Sequence, residues 1–154
     1  MAEPRIFTPT SRLREMVGLA SGSNEEELIA DADIRVARQR DALREFVFSR
    51  LNELQAYQGS SDEELFSARS AIAVIAIHIA DVAAAAALTT VGEIAGGIQA
   101  MLEAGEAGGI WHTGAMRLHL RSLQLVRDND DAADENALIL QRLATLRRAV
   151  GVAD

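Results

Sequence analysis

Apolar residues recur along this chain at steps of three, four and seven, and no stretch alternates with period two. That spacing predicts helices and no sheet. The longest stripe is Ile29, Val36, Leu43, Val47, Leu51 and Leu54, which predicts one helix over about 24–57. Its polar side carries Arg35, Arg38, Arg40, Asp41, Arg44 and Arg50, and Gly59-Ser60 closes it. A second helix is expected over 62–87, with Leu65, Ile72, Ile75, Ile79, Val82 and Ala86 inward. A third, over 91–104, turns Ile94, Ile98, Met101 and Leu102 inward and ends at Gly105. A fourth, over 113–127, uses Met116, Leu120, Leu123 and Val126; a fifth, over 132–150, uses Leu138, Leu140, Leu143, Leu146 and Val150. The polar run Asp128-Asn129-Asp130-Asp131 is expected to break the fourth helix and cap the fifth.

Local signals sharpen the helix starts. Ser23-Asn24-Glu25-Glu26, Ser61-Asp62-Glu63-Glu64 and Thr90-Val91-Gly92-Glu93 each read as a capping box. In such a box the hydroxyl accepts from the third amide and the Glu reaches back. Gly96-Gly97 stand inside the third helix, where each costs about 1 kcal/mol against Ala in an exposed interior. Close helix packing is the expected compensation. Residues 1–22, with Pro4, Pro9, Gly18 and Gly22, read as an N-terminal arm, and 23–154 as a single helical domain. Five helices joined by short loops make an all-α antiparallel bundle.

Composition narrows the chemistry. All 15 basic residues of this 154-residue chain are Arg, against 23 acidic ones, for a net charge of −8. The absence of Cys excludes disulfides, thiolate metal sites and a Cys nucleophile. The absence of Lys excludes a P-loop and Schiff-base chemistry. A net negative charge without a basic patch argues against a nucleic-acid partner. Residues 71–91 are long enough to span a bilayer, yet His78 and Asp81 stand near the centre. A lone Asp there costs about 2.5–3.5 kcal/mol. The stretch therefore reads as a buried bundle helix, a membrane-embedded bundle being the lesser alternative. With no signal-like start, the expectation is a soluble, cytoplasmic protein with no membrane partner.

Metal and hydrolytic constellations are missing. A ferritin-like site needs Glu-x-x-His, but Ile75, Gly109 and Met116 precede the three histidines at that spacing. His112 and His119 lack a third ligand nearby, so no metal is expected, and His119 is expected to pack beside Met116 and Leu123. No Asp or Glu is followed four residues on by Gln or Asn, as a helical phosphatase of the chemotaxis type would want. His78 remains. Asp81 follows it by three residues, so both lie on one helix face with Val74, opposite Ile72, Ile75 and Ile79.

Around His78 the pieces form a series. A helix ends in a Gly/Ser loop over 51–61. Ala76-Ile77-His78-Ile79-Ala80-Asp81-Val82 follows, then a small-residue stretch over 83–90, then a helix over 93–105 ending in Leu102-Glu103-Ala104-Gly105. Over 46–107 this resembles a histidine phosphotransfer (HPt) domain. Phe7-Thr8-Pro9-Thr10-Ser11-Arg12-Leu13-Arg14 and 115–123 resemble the flanks of a stand-alone, alphaproteobacterial-type branch of that family. The resemblance implies an antiparallel four-helix bundle, here with an N-terminal arm and an extra C-terminal helix. It implies a surface His that takes a phosphoryl group from a histidine kinase or from a response-regulator receiver domain. The family motif is His-x-x-Lys-Gly; the corresponding positions are His78, Asp81 and Val82, of which only the first matches.

Two forms of this reading stand side by side: a phosphocarrier acting through His78, or a degenerate module that docks a receiver domain without accepting phosphate. Neither needs a cofactor or has independent catalytic activity. The docking face would comprise Val74, Ile77, Asp81 and Val82 around His78, with Arg44 and Arg50 of the first helix turned to a receiver's acidic pocket. The alternative from another class is a helical interaction or assembly protein without phosphoryl chemistry, self-associating through Val74 and Ile77.

Overall fold

The computed structural model describes residues 25–109, 111–129 and 132–152. Among these residues the chain is all-α. Its helices are α1 (Glu25–Gln55), α2 (Asp62–Ser67), α3 (Arg69–Ala83), α4 (Thr89–Gly108), α5 (Thr113–Asp128) and α6 (Ala133–Ala149), with a 3-10 turn at Ala56–Gly59. The chain divides into two units, Met1–Ala37 and Arg38–Asp154.

In the first unit the described residues are the opening turns of α1. Leu28, Ile29, Ile34 and Val36 are exposed there, although Ile29 and Val36 belong to the stripe expected to face a core. Periodicity specifies an amphipathic helix but does not supply the surface that covers it. Burial along the stripe is complete only at Val47, Leu51 and Leu54.

The second unit is a helical bundle with α4 at its centre, packed against α3, α5 and α6. Ile72, Ile75 and Ile79 of α3 meet Val91, Ile94 and Ile98 of α4, and Met116, Leu120 and Leu123 of α5 complete the core. Burial of each such side chain contributes about 1.5–3 kcal/mol. Two glycines set the spacing of α4. A Cβ on Gly92 would lie 2.9 Å from the Ala83 Cβ, so α3 and α4 touch backbone to methyl. Gly97 is likewise crowded, whereas Gly96 has nothing within 4 Å of the corresponding position. The close packing expected of the Gly pair therefore belongs to Gly97 alone.

Several boundaries differ from expectation. The second predicted helix is two, parted at Ala68 (φ −82°, ψ 0°). Its end is a Schellman turn: Ala87 adopts φ 57°, its N–H reaches Ala84 O at 3.1 Å, and Leu88 N–H reaches Ala83 O at 2.8 Å. Leu88 then accepts from Gly92 N–H at 3.1 Å and starts α4. One residue thus closes one helix and opens the next, which puts Thr90 inside α4 rather than at its cap. The capping box expected there does not form. The Ser61 box does form: Glu64 N–H donates to Ser61 Oγ at 3.3 Å, and Ser61 N–H to Glu64 Oε2 at 2.7 Å. The Ser23 box lies outside the described residues.

Gly105 does not end α4, which runs on to Gly108 and stops where Gly109 takes φ 67°. Ala132, without a side-chain cap, precedes α6 in place of the expected acidic cap. Asn136 of α6 is buried instead, and its Nδ2 donates to Asn129 O at 3.1 Å. Leu138 is exposed, and Leu143 carries the burial of α6.

Polar struts tie the end of α1 to α5. Arg117 donates to Gln58 O at 3.2 Å, Ser60 O at 2.6 Å and Asp62 Oδ1 at 2.9 Å. Gln58 Nε2 donates to Leu120 O, Gln124 Nε2 to Leu51 O, and Arg127 to Asn52 Oδ1. Among the described residues no helix is long and apolar enough to cross a membrane. The turn after Ala83 divides the stretch 71–91 that had the length for it.

Candidate functional site

Helix α3 has two unlike faces. Ile72, Ile75, Ala76, Ile79 and Ala83 are buried, because a 3.6-residue period returns them to the α4 side. His78 and Asp81 are exposed on the other side. Val74 (52%) and Ile77 (37%) are exposed beside them, apolar side chains that α3 leaves in solvent. Val82, at the edge of this face, is half-buried and packs against the core. Thus His78, Asp81, Val74 and Ile77 share one surface, as the sequence spacing implied, with Val82 at its rim. No hydrogen bond or ion pair joins His78 to Asp81 among the described residues.

Arg44 and Arg50, the two α1 residues expected on the docking face, have local engagements. Arg44 reaches Ala86 O at 3.5 Å and lies over the Phe48 ring, 5.6 Å from its centroid. It thereby places a cation at the carbonyl end of α3, where the helix dipole favours one. Arg50 pairs with Glu53 at 2.9 Å and lies over the Phe46 ring at 5.2 Å.

Elsewhere the bundle holds a polar group that the sequence did not mark as special. His119 is fully buried, and its Nδ1 donates to Ala115 O at 2.9 Å. Its Nε2 is buried without a hydrogen-bond partner. Burial pushes the His119 pKa below its ordinary value of 6.5; the Ala115 carbonyl opposes this and the Arg147 charge adds to it. Gly97 makes room for both neighbours: a Cβ there would lie 2.6 Å from Arg147 Nη1 and 3.3 Å from His119 Cδ2. The imidazole is thus a neutral packing element between helices, as expected beside Met116 and Leu123. The signal for its surroundings was the inward-facing Gly97 in mid-helix.

One cleft of about 350 Å³ opens beside the break at Ala68, lined by Phe66, Arg69, Leu102, Gly105, Glu106 and Trp111 among others. Phe66 and Trp111 meet edge to face with centroids 5.4 Å apart, and Arg69 lies over Phe66 at 4.4 Å. Trp111 Nε1 donates to Thr113 Oγ1 at 3.0 Å.

No family model matches the chain, and neither the curated proteins nor the solved structures provide a match.

Proposed function

We propose that this chain is an HPt-like module of a two-component phosphorelay that docks a receiver domain on the His78 face of α3, with His78 as the candidate phosphoryl acceptor. The observation that carries the reading is the exposure of His78 midway along a bundle helix, beside the exposed apolar residues Val74 and Ile77. An acceptor imidazole must reach an incoming phosphoryl group in line with its leaving oxygen, so it must stand free of the core. Apolar neighbours give a docking partner area to cover. In the transfer, a ring nitrogen of His78 bonds to phosphorus while the bond to the donor's oxygen breaks.

Asp81 works against a strong carrier. A phosphohistidine beside it sets like charges close together, and nothing cationic stands at the position where the resembled family keeps Lys. The proposal therefore gives docking priority over transfer. Incubation with the phosphorylated receiver and kinase of the same genome tests the transfer, read as an acid-labile, base-stable phosphate lost in His78→Ala. NMR titration with the receiver tests docking; an absence of shifts around His78, Val74 and Ile77 would sink it. The second reading, assembly without phosphoryl chemistry, rests on the same exposed Val74 and Ile77. It predicts self-association lost on changing both to polar residues.

A further inference from the structure

Helices α5 and α6 leave an apolar groove between them on their solvent side. Leu118 and Ser122 of α5 and Ile139, Arg142, Leu143 and Leu146 of α6 line about 320 Å³ of it. Leu143 forms the floor, 5% exposed, and Leu118 on one wall is 48% exposed. Leu125, seven residues further along α5 and 52% exposed, continues that wall.

Charge sets this surface apart from the rest of the chain. The whole chain carries −8, yet 113–127 and 136–149 hold six Arg and no carboxylate. The carboxylates of the hairpin are confined to 128–135, at its connecting loop. Arg117 and Arg127 are turned to the end of α1. Arg121 and Arg142 are exposed and make no hydrogen bond or ion pair among the described residues. Arg142 lines the groove, and Arg121 stands one turn from both Leu118 and Leu125.

We propose that this groove docks an acidic amphipathic helix of a partner protein. Its apolar stripe lies on Leu118, Leu125, Ile139 and Leu146, and its carboxylates meet Arg121 and Arg142. Two packed helices leave a furrow that a third fills at about 8–10 Å from each axis. A bilayer covers a projecting apolar face, whereas Leu143 is recessed. The chain's own residues 1–22 carry three Arg against two Glu, so charge does not favour them as occupant. The apolar contacts supply affinity and the two Arg select the partner by charge. This surface is independent of the phosphorelay reading and uses different helices.

The test uses the full chain and two synthetic helices of about four turns, both with Leu on one face, one with Glu and one with Lys on the other. The Glu-faced peptide is expected to bind, less tightly as salt rises, with NMR shifts gathered at Leu118, Ser122, Ile139 and Leu146. Leu118→Asp should weaken binding by about tenfold or more with unchanged helical circular dichroism. Changing Arg121→Glu and Arg142→Glu together should reverse the preference to the Lys-faced peptide. Failure of the Glu-faced peptide to bind, shifts elsewhere, or a preference that the charge change leaves intact would each overturn the proposal. So would binding to vesicles of phosphatidylcholine and phosphatidylglycerol in place of the peptide, or self-association in sedimentation that Leu118→Asp abolishes.

Discussion

Ala87 and Gly151 occupy the same position in two copies of one helix ending. After α3, Ala87 N–H reaches Ala84 O and Leu88 N–H reaches Ala83 O; after α6, Gly151 N–H reaches Arg148 O and Val152 N–H reaches Arg147 O. Both residues are left-handed, at φ 57° and 84°. In both turns the residue that follows is buried, Leu88 fully and Val152 nearly so. Glycine adopts this conformation freely, whereas alanine pays a steric cost at its Cβ. Ala87→Gly is therefore expected to stabilise the protein by about 1 kcal/mol, and Gly151→Ala to destabilise it by a similar amount. Urea midpoints with unchanged slope check both.

The neighbouring glycines of α4 should respond in opposite directions. Gly96→Ala adds a methyl where nothing lies within 4 Å, so helix propensity decides and stability rises by up to about 1 kcal/mol. Gly97→Ala drives the methyl against Arg147 and the His119 ring, at 2.6 and 3.3 Å. The Arg tip can swing away, but the buried ring must shift, at a cost of about 1–3 kcal/mol. Equal effects at the two positions would refute this account.

His119 gives the stability a pH dependence of known sign. Its folded pKa is below 6.5, so the unfolded chain takes up the proton first as pH falls. The stabilising effect of the neutral buried ring is complete above 6.5 and is lost progressively below it, down to the folded pKa. The slope in that window approaches about 1.4 kcal/mol per pH unit. Unfolding midpoints across the window should fall less steeply for His119→Gln than for the wild type. Parallel profiles would show that His119 is not the group responsible.

Arg117 holds two carbonyls and a carboxylate from one guanidinium. Arg117→Ala is expected to cost about 2–3 kcal/mol, since charge-assisted bonds to half-buried carbonyls are lost together. Arg117→Lys should recover only part, because an ammonium does not span the same fork of acceptors. Asp62, whose side chain is 74% exposed, should matter by less than about 1 kcal/mol. Denaturant titration of the three variants orders them.

His78→Ala should leave the fold intact. The side chain is exposed on α3, so the change in stability should stay within about 0.5 kcal/mol. A thermal melt superimposable on the wild type would assign any lost phosphate acceptance or receiver binding to the imidazole itself.

The helical character of each segment was legible because apolar spacing is a local property. So were the Ser61 box, the inward faces of α4 and α5, and the placing of Val74, Ile77, His78 and Asp81 on one side of α3. The misreadings share a cause. Ala68 and Ala87 have helical propensity, and what interrupts the helix is how the chain turns against its neighbours. Thr90 has the right chemistry for a cap, but Leu88 already serves two helices. Ile29 and Val36 fit the stripe, yet nothing in a stripe states what lies across it. Gly97 in mid-helix signalled a close approach, but its neighbours, Arg147 and His119, lie far from it in sequence, and no local pattern names them.

The edge-to-face meeting of Phe66 and Trp111 makes the molecule its own optical reporter. Trp111 is the single Trp of the chain, so intrinsic emission arises at the junction of α2 with the loop between α4 and α5. Fluorescence-monitored melting follows the opening of that corner, while far-ultraviolet dichroism follows all the helices. Divergence of the two curves would reveal that α2 detaches before α3 and its histidine face unfold.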